Sequence, residues 1–480
     1  MTDPRALHNL SIPEAASALR RGDATSVALT HATLDRVKET EPTVQAYATV
    51  TADLALAAAE RADREIAAGR DRGPMHGIPV AVKDNCYTKG ILTEVGSKVM
   101  EGFAPDFDAT VVRNLYKAGA VLIGKTRCHE WSCGGSEPPT RSPWDPARFP
   151  GGSSIGSGVA LAARSIYGAI GTDTGGSIRI PSSLNNLVGM KATYGRVSAY
   201  GVLPLAWSLD HVGPMTRTVR GNAQMLGAIA GYDPKDANSA RVDAPDYTAR
   251  IEDGARGARI GIDRDYFLYP GVVDSVRAMT ENVIGELAEM GAEIIEVRIP
   301  ELALTSETLK TIRMVESASY HRHQIREKGH LYSPGTRATL EIGQAVLATD
   351  YVAALRARER FRSAMKALFK RENLAALISP TIPVSAPLLD DVWKPRQDME
   401  NGETPTDGFV RHVYPANLSG QPAISAPGGF TPEGLPIGYQ LMGRPFDEAT
   451  LYRIAYAYEQ AQNWHERQPP NGCDRTGPKQ

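Results

Sequence analysis

The chain has 480 residues, of which 42% are hydrophobic and 22% charged, with 45 Gly, 33 Pro and a formal net charge of −2. That balance excludes disorder, collagen and coiled coil as the main theme, and it leaves no basic footprint for nucleic acid or an anionic membrane. No apolar run reaches the roughly 18–20 residues of a membrane helix, Met1-Thr-Asp-Pro-Arg5 lacks the core of a secretory signal, and four cysteines (Cys86, Cys128, Cys133, Cys473) are too few for a disulfide framework, so a soluble, cytoplasmic enzyme is expected.

Residues 1–70 read as helices. Ser11-Ile-Pro-Glu14 matches a capping box, and Gly22 ends that helix. A second helix is predicted over Thr25–Glu39, from Val27, Thr30, Leu34 and Val37, and a third from Thr51 to Gly69. Over 71–221 the grammar becomes strand, helix, strand. Strands are predicted to end at Lys83 and to cover Ala120–Ile123 and Ile166–Gly171, with helices at Asp108–Lys117 and Val159–Arg164. This alternation predicts an α/β fold, one large domain with a mixed, mostly parallel central sheet flanked by helices. Residues 222–371 read as a mainly helical, charged insertion. Strands return over 372–465 at Leu374–Ile378, Pro422–Ala426 and Leu435–Gly443, followed by a helix over Asp447–Gln462 and a polar tail, 466–480.

Several short motifs carry a bland reading. Gly119–Thr126 fits a phosphate loop, G-x-x-x-x-G-K-[ST], but its interval Ala-Val-Leu-Ile suits a core strand. Gly152-Ser-Ser154-Ile-Gly156 fits a nucleophile elbow without the strand that should precede it. Ser363-Ala-Met-Lys366 falls in a charged helical stretch. Cys128, His129, Glu130 and Cys133 lack a second Cys/His pair, so no metal is expected, and His211 reads as a structural, hydrogen-bonded histidine.

Three segments together point to chemistry. Val80-Ala-Val-Lys83-Asp-Asn85 puts a lysine at a strand end. Pro150-Gly-Gly-Ser153-Ser154-Ile-Gly-Ser157-Gly158 forms a loop that admits close backbone approach. Gly171-Thr-Asp-Thr-Gly-Gly-Ser177-Ile-Arg-Ile-Pro181 is a strand, a glycine turn and a helix start, whose free N–H groups suit a developing oxyanion. Ser177 can act as nucleophile once a base removes its proton. No histidine lies in these segments, so Lys83, desolvated and neutral, is the available base.

These segments resemble the amidase signature family from about His76 to Arg217, and again over Ala416–Pro422 and Gly434–Gln440. The resemblance implies Ser–Ser–Lys amide hydrolysis without metal or organic cofactor. The family's motif positions fall on Lys83, Ser153 and Ser177, with Ser153 a bridging serine on a cis peptide. It implies an oxyanion site built from the N–H groups of Thr174, Gly175, Gly176 and Ser177. Ile155 departs from the family's glycine, which would strain the loop if that position needed positive φ. By analogy Trp131 and Ser132 line an acyl pocket.

The expected function is hydrolysis of a small amide, with aryl amides and carbamates admitted. A homodimer is admitted, and neither nucleic acid nor membrane is expected as a partner. The alternatives are the glutaminase (A-type) subunit of a tRNA-dependent amidotransferase, whose members usually carry Gln where this chain has His211, and a nucleotide-binding protein using Gly119–Thr126.

Overall fold

The computed structural model describes residues 4–134, 136–392 and 405–470, and local signals at its start are realised closely. In α1 (Ile12–Arg21) the Ser11 N–H donates to the Glu14 carboxylate at 2.7 Å, and Gly22 closes the helix at φ 73°. The Thr25 hydroxyl accepts the Ala28 N–H at 3.0 Å and opens α2 (Ser26–Val44), which passes its predicted end and continues through Pro42 to Gln45. A short strand, β1 (Tyr47–Val50), leads into α3 (Ala52–Ala67).

The remaining strands are β2 (Pro79–Lys83), β3 (Val121–Thr126), β4 (Gly168–Asp173), β5 (Val188–Lys191), β6 (His211–Thr216), β7 (Arg259–Ile262), β8 (Glu293–Glu296), β9 (Ala376–Pro380), β10 (Ala423–Phe430) and β11 (Pro436–Gly443). All lie in one sheet, in the order β1-β3-β2-β4-β6-β5-β10-β11-β9-β7-β8. The helices are α4 (Thr110–Lys117), α5 (Ile155–Ala162), α6 (Arg179–Leu184), α7 (Val219–Ile229), α8 (Arg264–Phe267), α9 (Asp274–Glu289), α10 (Thr305–His321), α11 (Gln324–Lys328), α12 (Pro334–Ala345), α13 (Ala348–Arg371), α14 (Pro405–Ser419) and α15 (Glu448–Gln462).

The α/β mixed sheet is present, but it is not mostly parallel. Parallel neighbours are confined to β3-β2-β4 and β9-β7-β8, and six of the ten pairings among the described residues are antiparallel. One of these, β10 with β11, is a hairpin in which the chain returns directly. The other five antiparallel pairs join strands from separate stretches of the chain, whose relative direction is set by the tertiary fold and not by local alternation. The segment 222–371 is rich in helix, yet it also supplies β7 and β8, which extend one edge of the sheet. Within 372–465 the helix α14 was not anticipated, and the expected tail lies outside the described residues beyond 470. No helix among the described residues is long and apolar enough to cross a membrane.

The core lies against both faces of β2, where Val80, Ala81 and Val82 are fully buried, and α5 is buried along its whole length. Each large apolar side chain removed from water there contributes about 1.5–3 kcal/mol, enough to hold the short, charged strand end that follows.

The phosphate-loop reading fails on this architecture. Most of the expected loop is the buried strand β3, and Lys125 is engaged by Asp84 at 3.2 Å and by the Thr93 hydroxyl at 2.7 Å. No flexible loop remains between the two glycines to wrap a phosphate.

Candidate active site

The parallel pairing of β2 with β4 brings two strand ends together, with Val82 opposite Ile170. Lys83 therefore ends beside Thr172. Its Nζ donates to Thr172 Oγ1 at 2.7 Å and to Ser153 Oγ at 2.8 Å, and Asn85 Nδ2 donates to the same Thr172 oxygen at 3.2 Å. Lys83 is fully buried, and burial lowers its ammonium to about 8. A lysine held so is neutral in a useful fraction near neutral pH.

Ser153 sits on a loop that only small residues can build. Gly151 has φ 82°, and a Cβ at Gly152 would meet the His129 ring at 2.6 Å. The Gly152–Ser153 peptide is cis. Ser154 turns inward, its hydroxyl bonded to the Thr172 N–H and C=O at 3.2 Å each and fully buried. It is not the exposed nucleophile of an elbow. Ile155 begins α5, outside the positive-φ region, and packs in the apolar cluster of Phe149, Ile180 and Leu184. The position does not need positive φ, so the condition under which Ile155 would be strained is not met.

Ser177 lies in the turn between β4 and α6, half-buried, and no hydrogen bond engages its Oγ among the described residues. Its C=O accepts the Ser154 N–H at 3.3 Å, which ties the two loops together. The turn is pinned from below by a buried network. Arg179 pairs with both Asp173 oxygens at 3.0 and 3.1 Å, and reaches Gln440 at 3.0 Å and Asn417 at 2.6 Å. Asn417 donates in turn to the Asp173 carbonyl and carboxylate. Burial pushes the Asp173 carboxyl up, but the Arg179 guanidinium and its hydrogen bonds outweigh that and hold it below the usual carboxylate range.

The same network corrects the expected oxyanion site. The Gly176 N–H donates to Asp173 Oδ1 at 2.8 Å and is not free. No hydrogen bond takes up the N–H groups of Thr174, Gly175 or Ser177 among the described residues. Three of the four expected donors remain available.

A cavity of about 300 Å³ adjoins this centre, lined among others by Asn85, Ser132, Thr172, Thr174, Trp207 and Asp210. Ser132 lines this cavity. Trp131 does not; a positive φ of 50° turns its indole into the core, edge-on to His321 at 4.4 Å between centroids. His211 lines the cavity but is held by Leu209 C=O at 2.6 Å and Asp173 C=O at 3.2 Å, and burial keeps it well below its ordinary pKa. Burial also pushes the Asp210 carboxyl up to about 6.

Cys128 is buried with its thiol pushed up to about 12, and no group of three or more His, Cys, Asp or Glu is placed to hold a metal among the described residues. Ser363 and Lys366 lie within α13. The residues that sequence reasoning left without a role are Asp173, Arg179, Asn417 and Gln440. All four fall within the quoted segments, but a paired, buried charge cannot be told from an exposed one without the fold.

The Amidase family model matches residues 28–452. The chain belongs to the amidase signature family. Among its relatives in that family, the A-type subunit of the glutamyl-tRNA(Gln) amidotransferase of Chloroflexus aurantiacus is 40% identical over 96% of this chain and 99% of its own length. An amidase of Pseudomonas putida is also 40% identical, over 96% and 98%. The native peptide amidase of Stenotrophomonas maltophilia superposes with a TM-score of 0.82 at 32% identity, covering 96% of this chain and 98% of that one. The A-type subunit of the Thermotoga maritima glutamyl-tRNA(Gln) amidotransferase gives 0.81 at 30%, over 98% of each. Amide hydrolysis is thus the chemistry of this chain.

Proposed function

We propose that the chain cleaves the C–N bond of an amide through an acyl-enzyme on Ser177. Neutral Lys83 accepts the Ser153 proton as Ser153 takes the proton of Ser177, whose Oγ attacks the carbonyl. The N–H groups of Thr174, Gly175 and Ser177 receive the tetrahedral oxyanion. The leaving amine is protonated back through Ser153, and water then releases the carboxylate. From a carbamate, the same steps give amine, alcohol and CO₂. The observation that carries this proposal is the 2.8 Å contact from a fully buried lysine to Ser153, in a site whose other lysine contact is a neutral hydroxyl.

For the role in the cell, the relatives favour the A-type subunit of an amidotransferase over a stand-alone hydrolase. Those carrying that name, from Chloroflexus and Myxococcus among others, are 39–40% identical over nearly the whole chain. The stand-alone reading is supported by the equal identity to the Pseudomonas amidase and by His211 in place of the expected glutamine. Ammonia release separates them. Glutaminase activity that appears only when further subunits and tRNA are added supports the first. Turnover of aliphatic amides, anilides or carbamates by the chain alone supports the second. A folded Ser177→Ala variant with unchanged turnover removes both.

A further inference from the structure

Thr174 offers its N–H to the oxyanion, while its side chain is committed elsewhere. Thr174 Oγ1 donates to Asp210 Oδ1 at 2.5 Å, a short contact of the charge-assisted kind. The same carboxylate accepts the Leu205 N–H at 2.9 Å and the Ala206 N–H at 3.1 Å. Asp210 thus joins the nucleophile's turn to the segment 203–210, which contributes Leu203, Leu205, Trp207 and Asp210 to the wall of the adjoining cavity. That segment is also held through Ser208. Glu316 on α10 accepts the Ser208 N–H at 3.0 Å and hydroxyl at 2.6 Å, and Arg358 on α13 donates to the Ser208 C=O at 2.8 Å. The wall is therefore fixed at both ends of a short span, and Asp210 is the link that reaches the reacting centre.

We propose that Asp210 is a positioning residue, which sets the Thr174 oxyanion donor against the wall that seats the substrate. The proposal rests on the Ser177 acyl-enzyme reading. Its logic is geometric: an oxyanion donor acts only at the place where charge develops, and small displacements there are costly in rate. Three donors converge on the carboxylate, the Leu205 and Ala206 N–H groups on Oδ2 and the Thr174 hydroxyl on Oδ1. In Asp210→Asn the amide oxygen keeps the N–H pair and the N–H₂ faces the Thr174 hydroxyl, so that contact reverses direction and loses its charge.

The test uses Thr174→Val, Thr174→Ser and Asp210→Asn, assayed on any amide the unaltered protein turns over and titrated with an alkylboronic acid that adds to Ser177. Thr174→Val should lower kcat by about 10- to 100-fold with KM within about threefold, because a backbone donor shifts while the substrate wall stays. Boronate affinity should fall in parallel, since only the tetrahedral adduct uses the displaced donor. Thr174→Ser should restore kcat, and Thr174→Val combined with Asp210→Asn should be no slower than Asp210→Asn alone. Folded Thr174→Val with near-normal kcat overturns the proposal, as does a kcat loss without loss of boronate affinity, or effects that multiply in the double variant. If Asp210→Asn does not fold, the two Thr174 variants decide. Turnover surviving in Ser177→Ala overturns the underlying reading instead.

Discussion

Replacing Lys83 by methionine, which keeps the length of the side chain and removes its charge, should stop turnover and yet stabilise the fold. Burial lowers the Lys83 ammonium from 10.5 to about 8. A lowering of that size corresponds to a folding penalty of about 3 kcal/mol at neutral pH. Because the folded pKa lies below the unfolded one, the penalty is present in full below pH 8 and is relieved as pH rises from about 8 to about 10.5. The lost hydrogen bonds to Ser153 and Thr172 offset about 1 kcal/mol each, leaving a net gain of about 1 kcal/mol at pH 7. Thermal unfolding of both proteins at pH 7 and pH 10 should show the gain at the lower pH and none at the higher. In the unaltered protein kcat/KM should rise with pH through about 8, with roughly a tenth of the plateau at pH 7. Lys83→Met activity within tenfold of normal would refute the assignment of the base, and so would a flat profile between pH 6.5 and 9 in the unaltered protein.

Arg179→Met leaves Asp173 buried without its counter-ion and should destabilise the protein by about 3–5 kcal/mol, seen as a lower unfolding midpoint; an unchanged midpoint contradicts the network. Ser153→Ala should reduce kcat by about 10²–10⁴-fold with little effect on stability. Ser154→Ala should lose about 1 kcal/mol of stability with the weaker kinetic effect, and a reversal of the two places the relay one residue further on. Calorimetry should detect no ATP binding, since Lys125 is engaged by Asp84 and Thr93; stoichiometric binding abolished by Lys125→Met contradicts that.

What could be read in the sequence was what depends on neighbouring residues. The Ser11–Glu14 cap, the strand end at Lys83 and the glycine turn before Ser177 are local, and the structure follows them. Strand direction depends on partners far along the chain, which is why a mostly parallel sheet was expected while antiparallel pairings prevail. β7 and β8 have no clear signature because Arg259–Ile262 and Glu293–Glu296 are four residues long, carry charge at one end and at both ends respectively, and are set among helices. The loss of Gly176 as an oxyanion donor follows from a side chain three residues away folding back on the turn, and Trp131 from one positive φ. Neither has a signature in residue type or spacing.

The claim on which the rest depends is that Ser177 becomes covalently acylated. The most direct measurement is peptide mass spectrometry after reaction with a fluorophosphonate, or after rapid quench with a slowly hydrolysed aryl ester or anilide. A single adduct on Ser177 is expected, formed faster as pH rises through about 8 and strongly slowed in Lys83→Met. An adduct on Ser154, or turnover with no adduct on any serine, would contradict it.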